Sequence, residues 1–145
     1  MYTFSDLIAR LRAICWCFSG NEKLGHNYDE YEGMGQVAVN HLLETKSGQV
    51  RGAFSRYDTG PIDVVWGEVR DPTKHTGYGI AHILDKHGQS AADMIGRVIK
   101  NGSLKAAPNN KLKIICGKRV LILSKTFGDE ERHIVLSCYI NDGAK

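Results

Sequence analysis

Two histidines, a lysine and an aspartate crowd into the segment Gly77 to Gly88 (GYGIAHILDKHG), the densest set of reactive side chains in the chain. His82 and Lys86 are four residues apart and share a face of any helix formed there. His87 lies about 140° round from His82 at ~100° per residue, so it need not point into the same site. Such an inventory suits phosphodiester cleavage without a metal. One group must take the 2′-hydroxyl proton and another must protonate the leaving 5′-oxygen. Cationic donors must stabilise the charge that develops on phosphorus. Histidine, with an ordinary pKa near ~6.5, suits the first two tasks, and lysine the third. A strand hydroxyl such as that of Ser137 can donate to a phosphate oxygen. Each residue also has a plain structural reading: His82 beside Ile80 and Ile83 suits a core position, and His87 before Gly88 suits a helix C-terminus. Ser137 is ordinary in a strand, Lys86 is ordinary on a surface, and Trp66 reads as core.

The elements that must hold these residues follow from periodicity. Phe4, Leu7, Ile8, Leu11, Ile14 and Cys15 recur at helical spacing and predict a helix over 3–17, followed by a polar, glycine-rich irregular stretch over 18–35. A second helix is expected from about Gly35 through Val37, Val39, Leu42 and Leu43, ending at Ser47-Gly48. Val50 to Phe54 and Ile62 to Glu68 read as strands around the turn Asp58-Thr59-Gly60-Pro61. A glycine-punctuated loop over 67–79 then leads into a short helix from Ile80 to Lys86 or His87, stopped by Gly88. Ser90 and Asp93 are spaced as a capping box for a further helix carrying Met94, Ile95, Val98 and Ile99 and ending at Gly102. Leu112–Cys116, Arg119–Ser124 and Arg132–Ile140 read as strands. In the last, simple alternation puts Ile134, Leu136, Cys138 and Ile140 on an apolar face and His133, Val135, Ser137 and Tyr139 on a mixed one. Helices first and strands later, with one sheet face left polar, predict an α+β fold.

The chain has 145 residues, enough for one domain with its own core. At 42% apolar and 24% charged residues it falls in the globular class, neither disordered nor collagen-like. No apolar run approaches the ~20 residues of a membrane span. Residues 4–18 resemble a leader, but Asp6, Arg10 and Arg12 interrupt the apolar stretch and no small-residue cleavage site follows, so an amphipathic helix is expected instead. Cys15, Cys17, Cys116 and Cys138 match no zinc template and no disulfide framework; the last two suit buried thiols within strands. The net charge of +3 conceals a segregation. Residues 94–128 hold Arg97, Lys100, Lys105, Lys111, Lys113, Lys118, Arg119 and Lys125 with no acid among them, so the remainder is net acidic. Such a run is either a solvated face or a surface for a polyanion; its lack of interspersed acids favours the second.

Three blocks in order strengthen this. The run GQVRGAFSRYDTGPIDVVWGE, the segment GYGIAHILDKHG and the closing IVLSCYI together resemble the phage-associated branch of the barnase, EndoU, colicin-ribonuclease and RelE-like nuclease superfamily. The most specific parts are the Gly60 to Gly67 strand, the Gly79 to His87 helix and the strand with Ser137. The resemblance spans roughly residues 33–140, making 33–145 a ribonuclease toxin domain and 1–32 an N-terminal extension. It implies a barnase-like α+β fold, with helices packed on one face of a twisted antiparallel sheet. It also implies cofactor-independent, metal-independent cleavage of RNA, often tRNA, by transphosphorylation. His82 matches the motif's first histidine, Lys86 and His87 its Lys-His pair, and Ser137 the hydroxyl position of the last strand. His82 would then lead as general acid/base with His87 as partner, and Lys86 and Ser137 would stabilise the transition state. Arg97, Lys111, Lys113, Lys118, Arg119 and Lys125 would hold the RNA backbone.

Two other readings compete. A catalytically inactive RNA-binding module of the same fold, within a larger phage or secreted polypeptide, would bind RNA in a salt-sensitive manner without turnover. A metal-dependent hydrolase using His75, His82, His87 and Asp85 would be sensitive to EDTA. The toxin reading implies further a neutralising immunity protein, acidic to match the basic run. It places the domain in a larger secreted or delivered protein that reaches the target-cell cytoplasm, or else in the cytoplasm that made it.

Overall fold

The computed structural model describes residues 24–141. The helix expected over 3–17, the start of the irregular stretch, Cys15 and Cys17 lie outside the described residues.

The described chain is α+β. A single 3-10 turn, Asp29–Tyr31, precedes helix α1, Gln36–Thr45, which buries Ala38, Val39 and Leu42. The helix ends where Lys46 adopts a left-handed φ of 56° and its N–H donates to the Leu42 carbonyl. Strands β1 (Gln49–Arg56) and β2 (Gly60–Val65) form an antiparallel hairpin about the expected turn. The segment read as a glycine-rich loop folds instead into a second hairpin, β3 (Glu68–Asp71) with β4 (Thr76–Tyr78). Its glycines, threonines and single proline conceal a short pairing that has no apolar alternation to announce it. Helix α2, Gly79–His87, follows at once.

The helix expected over 90–102 is divided. Helix α3 covers Gln89–Asp93 and α4 covers Ile95–Asn101, with Met94 at φ −96° and ψ 0° between them. The capping box does not form. Gly88, at φ 87°, occupies the N-cap position, and the Asp93 carboxylate accepts from the Gln89 side-chain amide at 2.9 Å.

Four antiparallel strands make the main sheet: β5 (Ser103–Ala107), β6 (Lys111–Cys116), β7 (Arg119–Ser124) and β10 (Val135–Ile140), in the order β10-β7-β6-β5. A small hairpin of β8 (Thr126–Phe127) and β9 (Glu130–Glu131) lies between β7 and β10. Strand β5 was not foreseen, because Ser-Leu-Lys-Ala-Ala carries little strand propensity and is held by its pairing with β6. Alternation in β10 also differs from expectation. A bulge between Val135 and Ser137 shifts the register, so Val135 and Cys138 face the core while Leu136, Ser137 and Tyr139 do not. Ile140 is exposed.

One face of this sheet carries the core. Ile114, Leu121, Leu123, Val135 and Cys138 pack with Val39 and Leu42 of α1, Ile80 and Ile83 of α2, and Ile95, Val98 and Ile99 of α4. Burial pushes the Cys138 thiol up to about 12, so it behaves as a small apolar side chain. Cys116 is half-buried rather than buried. The other face is open. Its rows follow from the pairing register: Lys105, Lys113, Ile122 and Ser137 in one, Lys111 and Ser124 in the next, and Ile115, Val120 and Tyr139 on the far side. Among the described residues no helix is long and apolar enough to cross a membrane.

Candidate active site

Helix α2 runs beside the edge strand β10, and its entry is built from glycines. Gly67 and Gly79 have φ of 73° and 83°. A Cβ on Gly79 would lie 2.7 Å from the Trp66 carbonyl, and one on Gly67 would collide with the Tyr78 carbonyl. Only glycine lets the two chain segments cross this closely. The Ala81 N–H donates to the Trp66 carbonyl at 2.8 Å, fixing the first turn of the helix against the end of β2. Ile80 and Ile83 then enter the core, and His82 turns toward the open side of the sheet.

His82 lines a cleft of about 500 Å³ on that open side. The floor is sheet: Lys111, Ile122, Ser124, Leu136 and Ser137. One wall is the β3–β4 hairpin with Arg70, Gly77 and Tyr78; the other is Thr126 and Phe127, with Asn109 and Asn110 from the β5–β6 turn. His82 is 8% exposed and its Nδ1 is buried without a hydrogen-bond partner among the described residues. Burial, reinforced by the Lys86 ammonium, lowers the His82 pKa from its ordinary value, against the pull of Asp85. The neutral imidazole, able to accept a proton, is therefore the resident form near neutral pH.

His87 stands beside His82, with ring centroids 6.1 Å apart and planes near perpendicular. Its other neighbour is Tyr139, stacked at 5.4 Å. Burial and then Lys86 depress the His87 pKa as well. Lys86 is exposed and acts on both rings through its charge; neither Lys86 nor His87 is among the residues lining the cleft. Ser137 lines it directly. Ser124 does too, but its hydroxyl is committed, donating to the Arg132 carbonyl at 2.7 Å and accepting from the Ile134 N–H at 3.0 Å.

The basic run is distributed over four places. Lys111 and Lys113, with Lys105, lie on the open face. Lys118 and Arg119 sit at the β6–β7 turn, the opposite end of the strands from Ser124, and Lys125 is exposed just after β7. Arg97 belongs to α4, which packs on the core face, so it occupies the other side of the sheet. Arg70, Tyr78, Phe127, Asn109 and Asn110 were not foreseen. They reach the cleft from three separate hairpins, and nothing in their local spacing brings them together.

Two polar ties stabilise the surroundings. His75 Nδ1 is 2.9 Å from Asp85 Oδ2, joining the tip of the β3–β4 hairpin to α2. Outside the residues that line the cleft, buried Arg132 pairs with buried Asp63 at 2.6 Å and donates to Gln49 Oε1 at 2.7 Å, while Asp63 Oδ1 accepts from the Gly52 N–H at 2.7 Å. Among the described residues no three His, Cys, Asp or Glu side chains converge as metal ligands.

A family model described as phage-Barnase-EndoU-ColicinE5/D-RelE like nuclease 1 matches residues 53–145. The matched span holds the α2 helix, the four-stranded sheet and every residue that lines the cleft. No curated protein and no solved structure matches the chain.

Proposed function

Since the chain belongs to the phage-Barnase-EndoU-ColicinE5/D-RelE like nuclease family, we propose that it is a metal-independent endoribonuclease with a barnase-like arrangement of helices and sheet. One observation carries this reading: His82, with its depressed pKa and unpartnered Nδ1, lines an open-sheet cleft together with Ser137 and Lys111. In the reaction, neutral His82 takes the 2′-hydroxyl proton as the 2′-oxygen bonds to phosphorus. The bond from phosphorus to the 5′-oxygen breaks, leaving a 2′,3′-cyclic phosphate. The leaving oxygen takes a proton from the imidazolium form of His87 through one water, a form in the minority near neutral pH because burial and Lys86 lower the His87 pKa too. Lys111 and Ser137 donate to the phosphoryl oxygens as their charge grows, and Lys86 adds positive potential. Lys105 and Lys113 continue the cationic surface for the RNA backbone.

The biological reading goes with the chemistry: a toxin module acting on RNA, tRNA among its candidates, delivered to a target cell and neutralised by an acidic immunity protein. The decisive experiment incubates purified protein with total RNA in EDTA, beside the variant His82→Ala. The wild type should release fragments ending in 2′,3′-cyclic phosphate. The variant should be at least roughly 100-fold slower with an unchanged thermal melt. Full activity of the variant would remove His82 from the centre of the site.

A further inference from the structure

The open face absorbs only part of the basic run. Arg97 and Lys100 remain, exposed on α4 and three residues apart, so they are neighbours on its surface. Neither makes an ion pair among the described residues. Lys100 lines a groove of about 790 Å³ between α4 and the β1–β2 hairpin, which shares no lining residue with the cleft. Side-chain ties hold its walls in place. Gln36 of α1 accepts from the Gly96 N–H at 2.8 Å and donates to the Ala92 carbonyl at 3.0 Å. Arg56 donates to the Ile99 and Gly102 carbonyls at the far end of α4, at 2.5 and 3.0 Å, while Asp58 engages the same guanidinium at 2.8 Å. Phe54 and Ile99 give the groove an apolar lining, and no Asp or Glu lines it. Tyr57, also lining it, is 99% exposed, a large amphipathic side chain for which the described fold has no use. Ser55 adds main-chain groups. It faces Pro61, which has no N–H, and past Ala53, whose carbonyl accepts from the Gly35 N–H at 2.8 Å, the outer edge of β1 has no strand partner among the described residues.

We propose that this groove seats an extended, acidic segment of a protein partner. The segment's main chain pairs with Ser55, its apolar side chains pack against Tyr57 and Phe54, and its carboxylates meet Lys100 and Arg97. An open strand edge beside an apolar trough suits strand addition, in which main-chain bonds give affinity and side-chain contacts give choice of partner. Charge complementarity sets the sign of that choice, since two cations without acidic partners flank a groove that no carboxylate lines. RNA fits less well. A polyanionic backbone has no use for a strand edge or an apolar lining, and the open face already offers it Lys105, Lys111 and Lys113. A partner seated here leaves the cleft accessible, so the inference stands whether or not the cleft cleaves RNA.

The probe is a library of random octapeptides displayed on phage, selected on the full chain carrying His82→Ala so that RNA can be added without turnover. The enriched peptides are then synthesised and their affinities measured. They should be rich in Asp and Glu with apolar residues between. Tyr57→Ala should weaken binding roughly tenfold, and Arg97→Glu with Lys100→Glu at least as much. All three side chains are exposed, so the thermal melt should not move. Lys118→Glu with Lys125→Glu makes the same change of net charge elsewhere on the surface and should leave the affinity unchanged. A saturating single-stranded RNA should leave the peptide bound. N-methylating one peptide amide at a time should cost most at the residue that faces Ser55. Enrichment without acidic residues, affinity that survives Tyr57→Ala, or equal weakening by the Lys118 and Lys125 reversals overturns the docking site. So does a peptide indifferent to N-methylation at every position. Displacement by RNA overturns it as well and makes the groove part of the RNA-binding surface instead.

Discussion

The two imidazoles on α2 share a cationic neighbour that adds to the lowering of their pKa. Burial makes the largest contribution to lowering the pKa of His82 and of His87, and the Lys86 ammonium comes second for each. A base whose pKa lies below ~6.5 keeps its catalytic form into mildly acidic solution. The acid limb of kcat/KM should therefore fall off below the ordinary histidine range. Lys86→Gln removes the cationic contribution and leaves the burial, so the limb should move to higher pH. A lysine that merely covers surface would leave the profile in place, whatever it did to the rate. The same residue was legible in the sequence as a partner for His82 from its spacing alone. What spacing could not supply is that Lys86 works from outside the cleft, because that depends on where β10 lies relative to the helix.

At the scale of elements, the site is made by how hairpins meet the sheet. The helix bearing His82 was legible because Gly79 and Gly88 bracket an apolar stripe, and the two-sided character of β10 was legible as a pattern. Its phase was not: the bulge at Leu136 is a response to pairing with β7 and to the parallel bridge that joins Asp63 to Ile134. Simple alternation nevertheless put Ser137 on the open side, since the bulge displaces Leu136 onto that side and restores the inward direction at Cys138. The β3–β4 and β8–β9 hairpins stayed hidden because their pairings are short and lack a buried face of their own. Between these elements lies the Arg132–Asp63 pair, linking β2 to the segment entering β10. Arg132→Met would leave the Asp63 carboxylate buried with only the Gly52 N–H to satisfy it. A loss of ~3–5 kcal/mol is expected in urea unfolding. Replacing both residues with apolar ones, Asp63→Leu with Arg132→Met, should recover much of that loss. If the single variant unfolds at the wild-type midpoint, the pair does not join these elements.

For the molecule as a whole, the question is which charges meet a bound strand. In sequence the basic run is continuous; in space the alternation of strands and the placement of α4 divide it. Lys105, Lys111 and Lys113 point to the open face with the cleft, whereas Arg97 stands on the helical layer behind the sheet. A single strand of RNA passing over the open face would release counterions from each phosphate that a lysine neutralises. The slope of log affinity against log salt concentration is then about −0.7 per contact. Replacing Lys105, Lys111 or Lys113 singly by Gln should make that slope shallower by roughly 0.7 each, measured on the His82→Ala protein to prevent turnover. Arg97→Gln should leave the slope unchanged although it removes the same net charge. This comparison separates a defined track from diffuse attraction to a protein of net charge +3, since a diffuse field would register all four substitutions alike. An equal response from Arg97 would remove the proposed track of lysines on the open face.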